Sequence, residues 1–303
     1  MVDALWGERA SNRTSSLRQA QAACADLAHA HYENFTVLSW LTPRPLRPHR
    51  AAIYAFCRTV DDLGDEAAGN PLDRLDALDR FEVELDRAFE GLGRGALFVA
   101  LQETIRRFDL PREPFARLIE ANRIDQRQDR YPTFENLLHY CEHSANPVGR
   151  LVLMLHGYRD EDRFVLSDAT CTALQLANFW QDVARDRAAG RIYLPQDEMA
   201  EYGVAEAALD ASEASEALRS LLRFQVERTR EGFARGLPLV ERVRGRLRVE
   251  LALFSRGGLA VLEAIEAQGY DTLVRRPTVS DRAKRRLIAT TLLGLAARRR
   301  RWI

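Results

Sequence analysis

The sequence has 303 residues, of which 46% are hydrophobic, enough for the core of one large domain or two small ones. Its 44 Lys and Arg residues balance 44 Asp and Glu residues, and no basic block lies near the centre, which argues against a nucleic-acid partner. The four cysteines form no CxxC pair, no basic-then-apolar signal segment begins the chain, and no apolar run approaches the roughly 20 residues of a membrane span. These features predict a cytoplasmic protein.

Apolar residues recur at three- and four-residue steps along most of the chain, for example in 72–89 and 218–226. This period is typical of helices that bury one face. We find no alternating strand pattern and no Asn-Gly hairpin signal. We therefore predict an all-α fold with a single domain over residues 1–303, in which the polar residues 1–14 are frayed.

The first cluster of acidic residues lies within one predicted helix. Asp61 and Asp65 are four residues apart, and Asp62 lies three residues before Asp65, so all three carboxylates can project from one face. Arg58 lies one turn earlier on the same side. The helix also contains Gly64, which costs about 1 kcal/mol relative to alanine in a helix interior.

A second acidic stripe, Asn178, Asp182 and Asp186, follows the same four-residue spacing. Like charges one turn apart repel by about 0.2–0.5 kcal/mol per pair, so we expect an opposing charge nearby. Mg²⁺ is one such charge, because it takes oxygen ligands and keeps positions open for a phosphate. The neighbouring Phe179 and Trp180 suit a substrate with a charged head and an apolar tail.

Either acidic cluster alone is equally well explained as a solvated face paired with nearby arginines. The presence of two clusters, each beside aromatic residues, favours a shared magnesium site instead.

Three stretches resemble the motifs of the squalene/phytoene synthase family, in the same order and at similar spacing. They are Tyr54–Glu66, Tyr140–Gly149 and Asn178–Pro195. The resemblance runs from about His31 to about Arg276. It implies the all-helical isoprenoid synthase fold, a single-domain bundle around a central apolar cavity, and a prenyl diphosphate substrate.

The resemblance also implies how the site is built. It predicts a Mg²⁺ cluster held by Asp61, Asp65, Asp182 and Asp186, assisted by Asp62 and Asn178. Tyr140 matches the catalytic tyrosine of the family, and His31 matches a residue near the diphosphate in relatives.

A diphosphate leaving group needs its charge neutralised as the C–O bond breaks. We expect Arg58 and Arg191 to contribute to this, with Tyr54 and Tyr193 as hydrogen-bond donors. For a single arginine, a surface ion pair is the alternative.

The cation left behind must be shielded from water and stabilised by aromatic faces. Residues that can line such a space are Tyr140, Phe35, Phe56, Phe179 and Trp180. Core packing is the alternative for each of them. Asn146-Pro147 should break or kink the helix that carries Tyr140.

Within the family, three local features look closest to hydroxysqualene synthase of the bacterial hopanoid route. They are His31–Phe35, Ser144–Pro147, and Arg123–Asp125 followed by Arg130-Tyr131. This implies ionisation of presqualene diphosphate and capture of the cation by water, without NADPH. Alternatives are the coupling of two farnesyl diphosphates to presqualene diphosphate or squalene, the synthesis of phytoene, and a non-catalytic scaffold. The oligomeric state stays open.

The C-terminal residues 284–303 form a basic amphipathic tail, with Lys284-Arg285-Arg286 and Arg298–Arg301 on either side of an apolar stretch. Such a tail can rest on an anionic membrane surface at the inner face of the cell membrane. A solvated terminal helix is the alternative.

Overall fold

A computed structural model of the chain describes Trp6 and residues 16–30, 41–65 and 70–299, without the side chains of Asp65 and residues 295–299. Over this part of the chain every regular element is helical, and the one β-type contact is an isolated parallel bridge between Arg130 and Ile192. The all-α prediction is confirmed. The segment predicted to be frayed, 1–14, lies outside the described residues apart from Trp6.

The helices are α1 (Leu17–Ala30), α2 (Arg47–Asp65), α3 (Pro71–Phe89), α4 (Gly95–Phe108), α5 (Glu113–Asp125), α6 (Phe134–Ser144), α7 (Asn146–Leu155), α8 (Glu161–Gln181), α9 (Val183–Ala188), α10 (Gln196–Glu201), α11 (Glu216–Gly236), α12 (Leu239–Arg242), α13 (Gly245–Ala267) and α14 (Asp281–Arg299). Short 3₁₀ helices span Arg44–Leu46 and Glu206–Asp210. None of the described helices is both long enough and apolar enough to cross a bilayer.

Contacts divide the chain into two compact units. The first unit comprises residues 1–127 and 147–159, and the second comprises 128–146 and 160–303. The single domain over 1–303 stays a prediction.

In the first unit, α2 is held by an aromatic core. Phe56 of α2 lies 5.3 Å from Phe81 of α3 and 5.2 Å from Phe115 of α5, measured between ring centroids, and Phe81 lies 5.0 Å from Phe98 of α4. All four rings are fully buried. Each such pair contributes about 0.5–1.5 kcal/mol beyond the area that it buries, so this core fixes the position of the helix with the first acidic cluster.

In the second unit, α8 packs against α11 and α13. Trp180 of α8 is fully buried, and its indole N–H donates to Thr229 Oγ1 of α11 at 2.8 Å. Gly236 allows α11 to approach α8 closely, because a Cβ there would lie 2.9 Å from the amide nitrogen of Thr170. Core packing, the alternative interpretation, is therefore the role of Trp180.

The second acidic stripe was predicted on one helix, but it spans two. α8 ends at Gln181, and Asp182 (φ −107°, ψ 16°) separates it from α9. The amide of Asp182 still donates to the carbonyl of Asn178 at 2.9 Å, and that of Asp186 to the carbonyl of Asp182 at 2.8 Å. The four-residue spacing of the stripe therefore survives the break.

The predicted break after the helix of Tyr140 is confirmed. α6 ends at Ser144, Ala145 adopts φ −118° and ψ −48°, and α7 begins at Asn146. Pro147 has no N–H to continue the hydrogen-bond ladder of α6, which explains the position of the break.

Candidate active site

The first acidic cluster lies on the last turns of α2. Asp62 is buried and forms an ion pair with Arg58, one turn earlier on the same helix. Tyr54, a further turn back, is also buried, and Asp61 is exposed. The structure thus brings four of the predicted residues together on one helix. The side chain of Asp65 lies outside the described residues, as do His31 and Phe35.

Two amide side chains of α5 contact this cluster. Asn122 Nδ2 donates to Asp61 Oδ1 at 3.3 Å, and Gln126 Nε2 donates to the carbonyl of Gly64 at 2.9 Å. Neither residue was among the site residues predicted from the sequence. Two features of the sequence could have pointed to them: a glycine inside α2, and two amide residues four positions apart on a later helix.

Asp182, in the second cluster, is paired with an arginine that sequence analysis also missed. Arg276 Nε donates to Asp182 Oδ1, and its Nη2 donates to Asp182 Oδ2 at 2.8 Å and to Gln181 Oε1 at 3.0 Å. Gln181 in turn donates to the carbonyl of Pro277 at 2.5 Å. Arg276 lies 94 residues after Asp182 in the chain, so no local spacing in the sequence links the two. Arg276 contacts both oxygens of the Asp182 carboxylate. This bidentate geometry is available to arginine and not to lysine.

Asp186 carries a strongly perturbed carboxyl. Burial raises its pKa to about 7, and the negative charge of Asp182 adds to the effect, although Arg191, Arg185 and Arg276 oppose it. A cation beside this carboxyl would favour its ionised form.

A four-ring group, here called the aromatic cluster, lies next to these carboxylates in the chain. Phe179 and Tyr193 stack with ring centroids 3.9 Å apart and planes at 12°. Tyr140 lies 5.9 Å from Tyr193, and Tyr131 lies 5.5 Å from both tyrosines. All four rings are buried. Their π faces suit the stabilisation of a cation.

The loop after α9 places Arg191 beside Asp186. Gly190 has φ +85°, which glycine adopts without steric cost, and the amide of Arg191 returns to the carbonyl of Asp186 at 2.9 Å. Arg130 holds the loop by donating to the carbonyl of Gly190 at 2.7 Å. The loop and α9 border a small recess lined by Asp186, Arg191, Phe179 and Tyr193 together with apolar residues.

The donor set is compatible with a hard divalent cation, although it is incomplete in the described part of the chain. Among the described side chains, no three His, Cys, Asp or Glu residues form a group that could hold a metal ion. Carboxylate oxygens are the ligands that Mg²⁺ prefers, and a bound cation would lower the raised pKa of Asp186. Asn178, one turn before Asp182, is exposed. The residues present therefore fit such an ion.

Comparison with known proteins gives a consistent result. Residues 28–283 match the family model of squalene/phytoene synthase. The 15-cis-phytoene synthase of Synechococcus elongatus is 32% identical over 289 residues, which cover 89% of this chain and 92% of the relative.

Solved structures agree. A squalene synthase HpnC from Alicyclobacillus acidocaldarius is 50% identical with a TM-score of 0.80, covering 84% of this chain and 95% of the other. A dehydrosqualene synthase in complex with ligand has a TM-score of 0.84 at 24% identity, covering 93% and 98% of the two chains, and this likeness shows the fold alone. These neighbours confirm the predicted isoprenoid synthase fold.

Proposed function

Because the chain belongs to the squalene/phytoene synthase family, whose members are enzymes that act on prenyl diphosphates, we propose that it is a hydroxysqualene synthase. The observation that carries this proposal is the 50% identity to a squalene synthase HpnC, compared with 32% to a phytoene synthase. The alternatives are the coupling of two farnesyl diphosphates to presqualene diphosphate or squalene, and the synthesis of phytoene.

The reaction begins when the C–O bond to the diphosphate of presqualene diphosphate breaks and the electron pair leaves with the diphosphate oxygen. The resulting carbocation rearranges. Water then forms a new C–O bond to it and loses a proton, which yields hydroxysqualene. No electrons are gained or lost, so NADPH is not required.

Members of the family generally depend on divalent metal ions. In this chain the residues that would hold Mg²⁺ are Asp61, Asp62, Asp65, Asn178, Asp182 and Asp186. When bound, the ion supplies positive charge for the departing diphosphate.

The diphosphate also needs direct donors. We assign this role to Arg58, Arg191, Tyr54, Tyr193 and Asn178, with His31 and Phe35 at the same end of the substrate. Arg191 is the best supported of these, because it lies at the recess beside Asp186 in a loop that Arg130 holds.

The aromatic cluster shields the cation. Tyr140 is buried among aromatic rings, so its π face and hydroxyl can act on a reactive intermediate without exposing it to bulk water. We assign it the catalytic role.

The C-terminal helix α14 supports contact with a membrane surface from the cytoplasmic side. Thr291 is buried and accepts from Arg256 of α13 at 2.9 Å, whereas Ile288, Leu292 and Leu293 are exposed, the last at 70%. Exposed apolar residues beside the basic residues 284–286 match the acyl chains and anionic head groups of a lipid surface.

Sedimentation with vesicles tests this surface. The variant Ile288→Gln/Leu292→Gln/Leu293→Gln should lose binding to vesicles that contain phosphatidylglycerol, whereas Leu72→Gln, an exposed leucine of α3, should keep it. Equal binding of both variants, or binding to neutral phosphatidylcholine alone, would remove α14 from the interaction.

The proposed reaction is tested with purified protein, presqualene diphosphate and Mg²⁺, with and without NADPH, and products are identified by mass spectrometry. Hydroxysqualene in both conditions, lost on adding EDTA, supports the proposal. Squalene formed only with NADPH supports the squalene alternative. Parallel incubations with farnesyl and geranylgeranyl diphosphate test the remaining alternatives.

A further inference from the structure

Helices α2 and α5 approach each other unusually closely at Gly64 and Asn122. A Cβ at Gly64 would lie 3.1 Å from Asn122 Cγ and 3.3 Å from its Cβ, and closer still to its Oδ1. Gly64 lies within α2 and is not among the glycines with positive φ, so its backbone does not require glycine. Glycine is therefore needed at this position because any side chain would collide with Asn122. The close contact between the helices offsets the low helix propensity of glycine.

The space left by Gly64 is filled by a polar group. Asn122 is buried, with 7% of its surface exposed, and its Nδ2 donates both to Asp61 Oδ1 at 3.3 Å and to the carbonyl of Leu118 at 3.2 Å. One turn later, Gln126 Nε2 donates to the carbonyl of Gly64 at 2.9 Å. Two amides of α5 thus hold the turn of α2 that carries Asp61.

An amide orients a carboxylate without cancelling its charge. The neighbouring Asp62 is paired with the guanidinium of Arg58, which neutralises it. The amide of Asn122 adds no net charge, and the hydrogen bond that it donates restrains the direction of one carboxylate oxygen of Asp61.

We propose that Asn122 is a positioning residue that orients Asp61 for metal binding, and that the absence of a side chain at Gly64 makes room for Asn122. This inference rests on the part of the proposed function that makes Asp61 a metal ligand, and not on the identity of the substrate. Gln126 fixes the backbone of the same turn.

The first experiment measures Mg²⁺ binding by calorimetry in the presence of inorganic diphosphate, together with turnover. Asn122→Leu keeps the approximate size of the side chain and removes the donor, so the affinity for Mg²⁺ should fall about tenfold, the lower end for such supporting groups. The Mg²⁺ concentration for half-maximal turnover should rise by the same factor, with little change in kcat at saturating Mg²⁺. The control Glu120→Gln, on the exposed side of α5, should match wild type. Unchanged Mg²⁺ affinity in Asn122→Leu would overturn the inference.

The second experiment is a double-mutant cycle followed by thermal unfolding. Gly64→Ala alone should lower the Tm, because the added Cβ collides with Asn122. In the Asn122→Ala background the same change should raise the Tm, because alanine is the better helix former and space is available. If Gly64→Ala lowers the Tm equally in both backgrounds, the glycine at position 64 is not required for the contact with Asn122.

The two proposals fail in different ways. If no prenyl diphosphate is converted but the cycle changes sign and Asn122→Leu weakens Mg²⁺ binding, the reaction assignment is wrong and the inference stands. If turnover and Mg²⁺ affinity are normal in Asn122→Leu, the inference is wrong and the reaction assignment is unaffected. If Asn122→Leu does not fold, Gly64→Ala/Asn122→Ala provides the same binding measurement without the donor.

Discussion

The two acidic clusters differ in how far along the chain their partners lie. Asp62 is paired with Arg58, four residues earlier on α2. Asp182 is paired with Arg276, 94 residues later. The first pair forms as soon as its helix forms, whereas the second requires the chain after α13 to return to the end of α8. Local spacing in the sequence therefore predicts Arg58 as a partner of the first cluster, and it cannot predict Arg276 as a partner of the second.

The clusters also differ in charge balance. Asp62 is neutralised by its arginine and Asp61 is held by a neutral amide, whereas burial and Asp182 together raise the pKa of Asp186 to about 7. A cation bound at the second cluster would favour the ionised form of Asp186.

The largest expected effect is on turnover. Asp61→Ala and Asp182→Ala should each reduce turnover by about three orders of magnitude, because each removes a ligand for charge that develops on the leaving group. Circular dichroism should show an unchanged helical signal. Asp26→Ala, an exposed carboxylate of α1, is the control and should retain activity. Near-normal turnover in either site variant would remove that cluster from the site.

Removal of Arg58 and removal of Arg276 should lower the free energy of unfolding by different amounts. Arg58→Ala leaves Asp62 buried without its partner and should lower the free energy of unfolding by about 3 kcal/mol. Arg276→Ala should cost about 1 kcal/mol, because that guanidinium is 38% exposed. Urea unfolding of the metal-free proteins measures both. Equal losses would contradict the difference in burial.

The raised pKa of Asp186 should appear as a pH dependence of the metal-free protein. The folded state holds a proton that the unfolded state releases at the ordinary pKa of 3.8, so the free energy of unfolding should fall as pH rises from about 4 to about 7. The fall should be on the order of 2 kcal/mol, since one pKa unit corresponds to 1.36 kcal/mol and partial exposure reduces the effect. Asp186→Asn should remove this part of the slope in urea titrations with EDTA. A slope that persists would assign it to another group.

The smallest expected effect is on product identity. Tyr140→Phe keeps the ring of the aromatic cluster and removes the hydroxyl, so folding should be unaffected and the ratio of products should shift by severalfold. Mass spectrometry of the products is the measurement, and Tyr158→Phe, a tyrosine of the first unit outside the cluster, is the control. A product profile equal to wild type would exclude a chemical role for the hydroxyl.

Much of the fold and part of the site could be predicted from local signals. Apolar spacing predicted the helices, and Pro147 predicted the end of α6. The spacing of Asp182 and Asp186 predicted a shared face, which the continuing hydrogen bonds preserve across the break. These features depend on residues within one or two turns of each other, where backbone geometry alone determines which side chains meet.

The sequence by itself determined the helical class and the positions of the carboxylates, because both follow from helix periodicity. Only the tertiary structure decided which groups surround them: Arg276 at Asp182, Asn122 at Asp61, Tyr131 in the aromatic cluster, and Thr229 at Trp180. Each of these contacts joins residues far apart in the chain. Their partners are selected by how the buried helix faces pack, and no local pattern encodes that choice.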